Sequence, residues 1–176
     1  MVTEGLFTFV AIDAQRKPVE ILTNNNAQNP VLVPPGAGRK AGAVVSQSLT
    51  PLGNAALVLT PDQRNTNALG DIFGGWLLSR MDDAASGFAT QIAGGHRVAN
   101  VALDAMTFHK PVLVGDEVTF YTQLSRLGKT SVSVNIEAWA RRSGTGLHEK
   151  VTEGLFTYVA VDNALKPVPI GASPAP

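Results

Sequence analysis

The chain has 176 residues, with 14 Lys and Arg against 14 Asp and Glu, 44% hydrophobic residues and only 16% charged ones. That is enough apolar material for a buried core, which excludes a disordered chain, and too bland a charge distribution to draw in nucleic acid. With no Cys there is no disulfide, Fe–S cluster or thiol nucleophile, and His96, His109 and His148 are spaced too widely for a metal-ligand pattern.

The apolar stretches are broken by Pro, Gly or charge well short of the roughly 20 residues a bilayer requires. Glu4 stands where a secretory signal would carry basic residues. A cytoplasmic protein that does not enter a membrane is therefore expected.

In chain order, the first feature is a repeat. VTEGLFTFVAIDAQRKPVEI at 2–21 recurs as VTEGLFTYVAVDNALKPVPI at 151–170, with 14 of the 20 positions identical. One strand-like copy at each end is not a solenoid, which needs three or more stacked units. Between Asn24 and Thr50 the only charges are Arg39 and Lys40, among Asn, Pro and Gly residues, so this stretch reads as a linker. The expected organisation is an N-terminal extension over 1–50 and a domain over 51–176. Two origins fit the extension: the tail of a preceding similar domain, or a copied terminal strand.

Residues 55–60 (AALVLT) form a short apolar run ending at Pro61 and predict a strand followed by a loop. From Gly74 to Ile92, Trp76, Leu77, Met81, Ala84, Ala85, Phe88, Ala89 and Ile92 recur at three- and four-residue spacing before Gly94-Gly95. This predicts one long helix. Its other side chains are small and carry few charges, so burial around most of its circumference is expected. Four β-rich runs follow, at 97–109, 116–126, 130–141 and 149–162. Period-two alternation is clearest in Val118, Phe120, Thr122, Leu124 and in Val132, Val134, Ile136, Ala138. The short links containing Pro111 and Gly115, and then Gly128, predict that successive strands are antiparallel neighbours. The expected fold is α+β, an antiparallel sheet curled around a central helix, with sheet edges suited to a symmetric dimer.

The residues that can carry chemistry gather around the start of the helix. Gly74 and Gly75 fall in its first turn, where each lowers helix propensity by about 1 kcal/mol. Free N–H groups there, at the positive end of the macrodipole, suit a developing oxyanion. The alternative is that the glycines merely let a neighbouring element pass. Asp82 lies mid-helix on a stripe with Leu78, Ala85, Ser86 and Ala89. A carboxylate there is unfavourable unless paired or used, and the position suits a general base, with a structural buried Asp as the competing reading. Asp83 reads as an ordinary solvated residue. Gly75 and Asp82 are seven residues apart, about 10 Å along the axis. A water and the oxyanion donors must meet at one carbonyl, so a site shared between two subunits is expected, with Asp71 and the Gly74-Gly75 amides of one facing Asp82 of the other.

Other motifs carry less. Gly128-Lys129-Thr130-Ser131 resembles the end of a P-loop, but Gln123 stands where that motif needs Gly and a strand follows. There is no G-x-S-x-G elbow to anchor a serine hydrolase. The cations Lys110, Arg126, Lys129, Arg141 and Arg142 fall at strand ends, where they could hold phosphates or solvate the rim.

NTNALGDIFGGWLLSRMD, VALDAMTFHKPVLVGDEV, LGKTSVSVNIEAWARR and VTEGLFTYVAVD together resemble the acyl-CoA thioesterases of the hot-dog superfamily, especially the YciA-like branch, over about 55–170. The resemblance implies hydrolysis of acyl-CoA to a free acid and CoA without metal or other cofactor, by dimers often assembled as trimers of dimers, giving a hexamer. It implies Asp82 as general base or nucleophile and Asp71 at the partner position on the opposing subunit. It implies CoA contacts from Asn67, Lys110, Arg126, Gly128, Lys129, Thr130 and Ser131. Two departures stand out: the loop TPDQRNTNALGD is slightly long, and a single hot-dog unit has no place for the strand copy at 2–13. A hot-dog dehydratase or hydratase would need a His on or near the helix, which has none, and a non-catalytic acyl-CoA binding module would not need Asp82.

Overall fold

A computed structural model of the chain describes residues 50–171, together with Ala11, Asp13, Gln15, Lys17 and Val19. The chain divides into two units, Met1–Ser46 and Gln47–Pro176. Most of the strand copy at 2–21, and the linker up to residue 49, lie outside the described residues. The turn that follows each copy of the strand is described in both units. Asp13 Oδ1 accepts from the amides of Gln15 (2.8 Å) and Lys17 (2.9 Å), and the Asp13 amide donates to the Lys17 carbonyl (2.9 Å). Asp162 Oδ1 likewise accepts from Ala164 (2.8 Å) and Lys166 (2.9 Å), while its amide donates to the Lys166 carbonyl (3.0 Å). The shared Asp carries this geometry because its short side chain bonds backbone amides two and four residues on.

The second unit runs β1 (Asn54–Leu59), a short 3₁₀ turn (Gln63–Asn65), α1 (Gly74–Ile92), β2 (Arg97–Phe108), β3 (Glu117–Leu127), β4 (Ser131–Arg141) and β5 (His148–Val161). All strand pairs are antiparallel, in the order β1-β3-β4-β5-β2. The expected α+β fold is present, with one correction to its topology: β2 lies beside β5, not β3. After β2 the amides of His109 (2.9 Å) and Lys110 (3.3 Å) both donate to the Val151 carbonyl, so the chain stays tied to β5. It then passes the end of β4, where Arg142 Nη1 donates to the Pro111 carbonyl (2.9 Å) and to Asp116 Oδ2 (2.6 Å). The Pro/Gly link is a crossing, not a hairpin.

Alternation sorts the two faces of the sheet. Val118, Phe120, Val132, Val134, Ile136, Ala138, Phe156, Tyr158 and Ala160 are buried, and they form a core with Leu77, Met81, Ala84, Ala85 and Ala89 of α1. Leu124 continues the β3 pattern in sequence but is exposed, next to a register shift between Leu124 and Arg126. The helix departs from expectation too. Gly75, Ser79, Asp83, Gly87 and Gln91, at four-residue intervals, form an exposed stripe, because the five strands cover only one side of α1 within a single chain.

Glu137, on β4, is 3% exposed. Its carboxylate accepts from the Leu52 amide (3.0 Å), Trp139 Nε1 (2.9 Å) and Lys150 Nζ (2.6 Å). Burial acts to lower the Lys150 pKa, but the bonds to Glu137 and Glu153 outweigh it and leave it raised, so the ammonium stays charged. Glu137→Ala removes the acceptor of three donors and leaves Lys150 as a largely buried, half-compensated charge. A loss of about 3–5 kcal/mol is expected in the unfolding free energy from urea titration, as for breaking a buried pair from one side.

Candidate active site

The helix start is held by backbone bonds instead of a side-chain cap. The Ile72 amide donates to the Val112 carbonyl (3.0 Å) and the Phe73 amide to the Asn65 carbonyl (2.7 Å). Asn67 closes the preceding loop: its Oδ1 accepts from Leu69 (2.8 Å) and Asp71 (3.2 Å), and its amide donates to the Asp71 carbonyl (2.7 Å), with Gly70 supplying the positive φ of 81°. Asn67 therefore shapes the turn that presents Asp71 just before the helix. The Phe73 carbonyl accepts from Trp76 and Leu77. The amides of Gly74 and Gly75 have no acceptor among the described residues, as expected for the first turn of a helix.

The two glycines differ. A Cβ on Gly75 would sit 2.4 Å from the Phe73 ring, whereas one on Gly74 would meet the Phe108 ring at an ordinary 3.5 Å. Within the chain, the close approach at Gly75 comes from Phe73. A cavity of about 300 Å³ opens beside this helix end, lined by Ile72, Gly74, Leu77, Phe108, Lys110 and Val112 among others.

Two turns further along α1, Asp82 is half-buried. Tyr158 of β5 donates its hydroxyl to Asp82 Oδ1 (2.7 Å), and Asn100 of β2 donates Nδ2 to the same oxygen (2.8 Å). Asn100 and Tyr158 are direct partners in the β2–β5 register, so both point to the helix-facing side of the sheet. Oδ2 has no protein donor among the described residues. Burial, and then the hydrogen bond to Asp82, push the Tyr158 hydroxyl far above the ordinary tyrosine range, so it remains a donor at any working pH. Asp83 points elsewhere and pairs with Arg80 (3.0 Å) at the surface.

The cations expected at strand ends lie at two opposite ends of the sheet. Lys110 bonds Glu149, Arg141 bonds Glu117 (3.3 Å), and Arg142 bonds Asp116 (2.6 Å) and Glu149 (3.0 Å), all at the end where the helix starts. Arg126, Gly128, Lys129, Thr130 and Ser131 lie at the other end, in and around the β3–β4 turn closed by Gly128 N donating to the Ser131 carbonyl (2.8 Å). Along β4 the two groups stand about 33 Å apart at the usual rise per residue. Arg126 and Lys129 make no ion pair among the described residues, which leaves their charge available. Asn100 and Tyr158 escaped the sequence reading, because pairing between strands some 60 residues apart leaves no mark in local spacing.

An antiparallel sheet packed on one long helix, with a helix carboxylate held by two donors and open helix-start amides, has the architecture of a hot-dog fold. The profile of the Thioesterase superfamily matches residues 69–146. The acyl-CoA thioester hydrolase YciA of Salmonella typhimurium is 46% identical over 124 residues, spanning 69% of this chain and 92% of that protein. Among solved structures, the hexameric thioesterase y2039 from Yersinia pestis is 44% identical with a TM-score of 0.66, covering 70% of this chain and all of that one. The hexameric hotdog fold thioesterase Cj0915 of Campylobacter jejuni is 35% identical with a TM-score of 0.64, covering 68% and 91%. The chain belongs to the hot-dog thioesterase superfamily. Among the described residues no helix is long and apolar enough to cross a membrane.

Proposed function

We propose that this chain hydrolyses acyl-CoA thioesters to a free acid and CoA, using Asp82 as general base. The carrying observation is the one-sided restraint of the carboxylate: Tyr158 and Asn100 occupy Oδ1 while Oδ2 has no protein donor. Oδ2 takes a proton from water as the water oxygen bonds to the thioester carbonyl carbon. The carbonyl oxygen gains negative charge against the Gly74 and Gly75 amides. Collapse breaks the C–S bond, and the departing thiolate recovers the proton from Asp82, giving acid and CoA thiol with the enzyme unchanged.

Asp82 and the amides of one chain stand about 10 Å apart along the helix, which supports a site completed by a second copy, with Asp71 beside those amides. β2 supports the same reading. Among the described residues it is an edge strand paired only with β5, and it exposes Val101, Leu103 and Phe108. The hexameric relatives extend this to a homohexamer built from dimers. The Arg126–Ser131 turn and Lys110, from different chains, are candidates for holding CoA phosphates, and a CoA-ester substrate supports a cytoplasmic location.

Release of free thiol from a panel of acyl-CoAs tests the activity; binding without release would mark a carrier module instead. The Thioesterase superfamily match over residues 69–146 lies outside the 1–50 extension, which we assign as a passenger to the catalytic domain over 51–176. Deleting residues 1–45 should leave thiol release and the number of subunits per assembly unchanged, by activity assay and by light scattering read against the shorter chain's mass.

A further inference from the structure

The geometry points to Tyr158 as a positioning residue for this hydrolysis, one whose hydroxyl selects which oxygen of Asp82 performs the chemistry. The inference rests on the general-base reading above. Tyr158 is 1% exposed, so its hydroxyl has no bulk water to bond, and it spends its proton on Asp82 Oδ1 at 2.7 Å, with a longer contact to the Asp82 carbonyl at 3.4 Å. Its ring is fixed by the Phe156 ring at 6.5 Å, nearly parallel at 15°, and by pairing with Val132 on one side and Asn100 on the other. A rigid donor from the sheet thus sets the rotation of a helix side chain. With Oδ1 occupied, Oδ2 is the oxygen left to meet water.

The duplicated strand sharpens the point. Aligned residue by residue, VTEGLFTFVAID and VTEGLFTYVAVD differ first at Phe9 against Tyr158. The same apolar strand is written once with this hydroxyl and once without it. What the second copy carries at this position is the donor to Asp82. A purely structural Tyr would influence stability; a positioning Tyr must influence kcat through Asp82.

The test is a double-mutant cycle on the full-length protein, with thiol release from one acyl-CoA as the readout. Tyr158→Phe should lower kcat by about tenfold with KM within about twofold, since a catalytic group displaced by a fraction of an ångström loses rate but not substrate affinity. In an Asp82→Asn background the same change should alter the residual rate by less than about twofold, because the two groups act as one unit. Wild-type kcat in Tyr158→Phe, beside an inactive Asp82→Asn, overturns the positioning role and leaves the base intact. Full activity in Asp82→Asn overturns the base reading itself. Should Tyr158→Phe fold poorly by circular dichroism, 3-fluorotyrosine at 158 carries the test: it keeps the shape and strengthens the donor, so a changed kcat at constant KM supports positioning and an unchanged kcat overturns it.

Discussion

Asp82→Asn lowers kcat for acyl-CoA hydrolysis by about 10²–10⁴-fold, the range supplied by a positioned general base. The amide has nearly the shape of the carboxylate, and its Oδ1 can accept the same hydrogen bonds from Tyr158 and Asn100. What it lacks is the basic Oδ2. KM and melting temperature should therefore stay close to wild type while the rate collapses, and parallel steady-state and thermal-unfolding measurements separate the two. A large fall in melting temperature with the rate retained would make Asp82 a structural residue.

Gly75→Pro produces the second large loss, about 10²–10³-fold in kcat, by deleting one amide donor from the oxyanion site. Proline is tolerated in a first helical turn, where its missing N–H breaks no intrahelical bond. The ring does meet Phe73, whose phenyl lies 2.4 Å from an added Cβ, but Phe73 is 57% exposed and can swing outwards. Fold and assembly should thus survive while turnover does not, which size-exclusion chromatography and the thiol assay measure together.

Much of this was legible in the sequence. The helix bounds follow from apolar spacing that begins at Gly74-Gly75 and stops before Gly94-Gly95, and the inner face of β4 follows from the alternation Val132, Val134, Ile136, Ala138. Where interactions are local, as in the Asp13 and Asp162 turns, the shared Asp accepts the same backbone bonds in both copies. Long-range order was less accessible. The link through Pro111 has the composition of a hairpin turn, and only the tertiary bonds from His109 and Lys110 to Val151 and from Arg142 to Asp116 send it across the sheet end. The site divides in the same way. Asp82 was visible as a carboxylate on an apolar helix, but its partners Asn100 and Tyr158 come from strands β2 and β5, and their convergence depends on register. Arg126 and Lys110 look alike as strand-end cations, yet they end on opposite edges of the domain, because a cation's position in the list of strand ends does not say which end of the sheet it marks. The exposed stripe from Gly75 to Gln91 follows from how far five strands can wrap, a property of the sheet that no residue in the helix encodes.

The shared site is tested most directly by combining two inactive proteins. Asp82→Ala and Gly75→Pro chains are co-expressed with different tags, the mixed assembly is purified, and thiol release is compared with each variant alone. If the base comes from one chain and the oxyanion amides from the other, random pairing gives mixed dimers in half the cases, each with one whole site of two, and on the order of a quarter of wild-type activity returns. Activity in the mixed assembly no higher than that of the separate variants would contradict a site built from two chains.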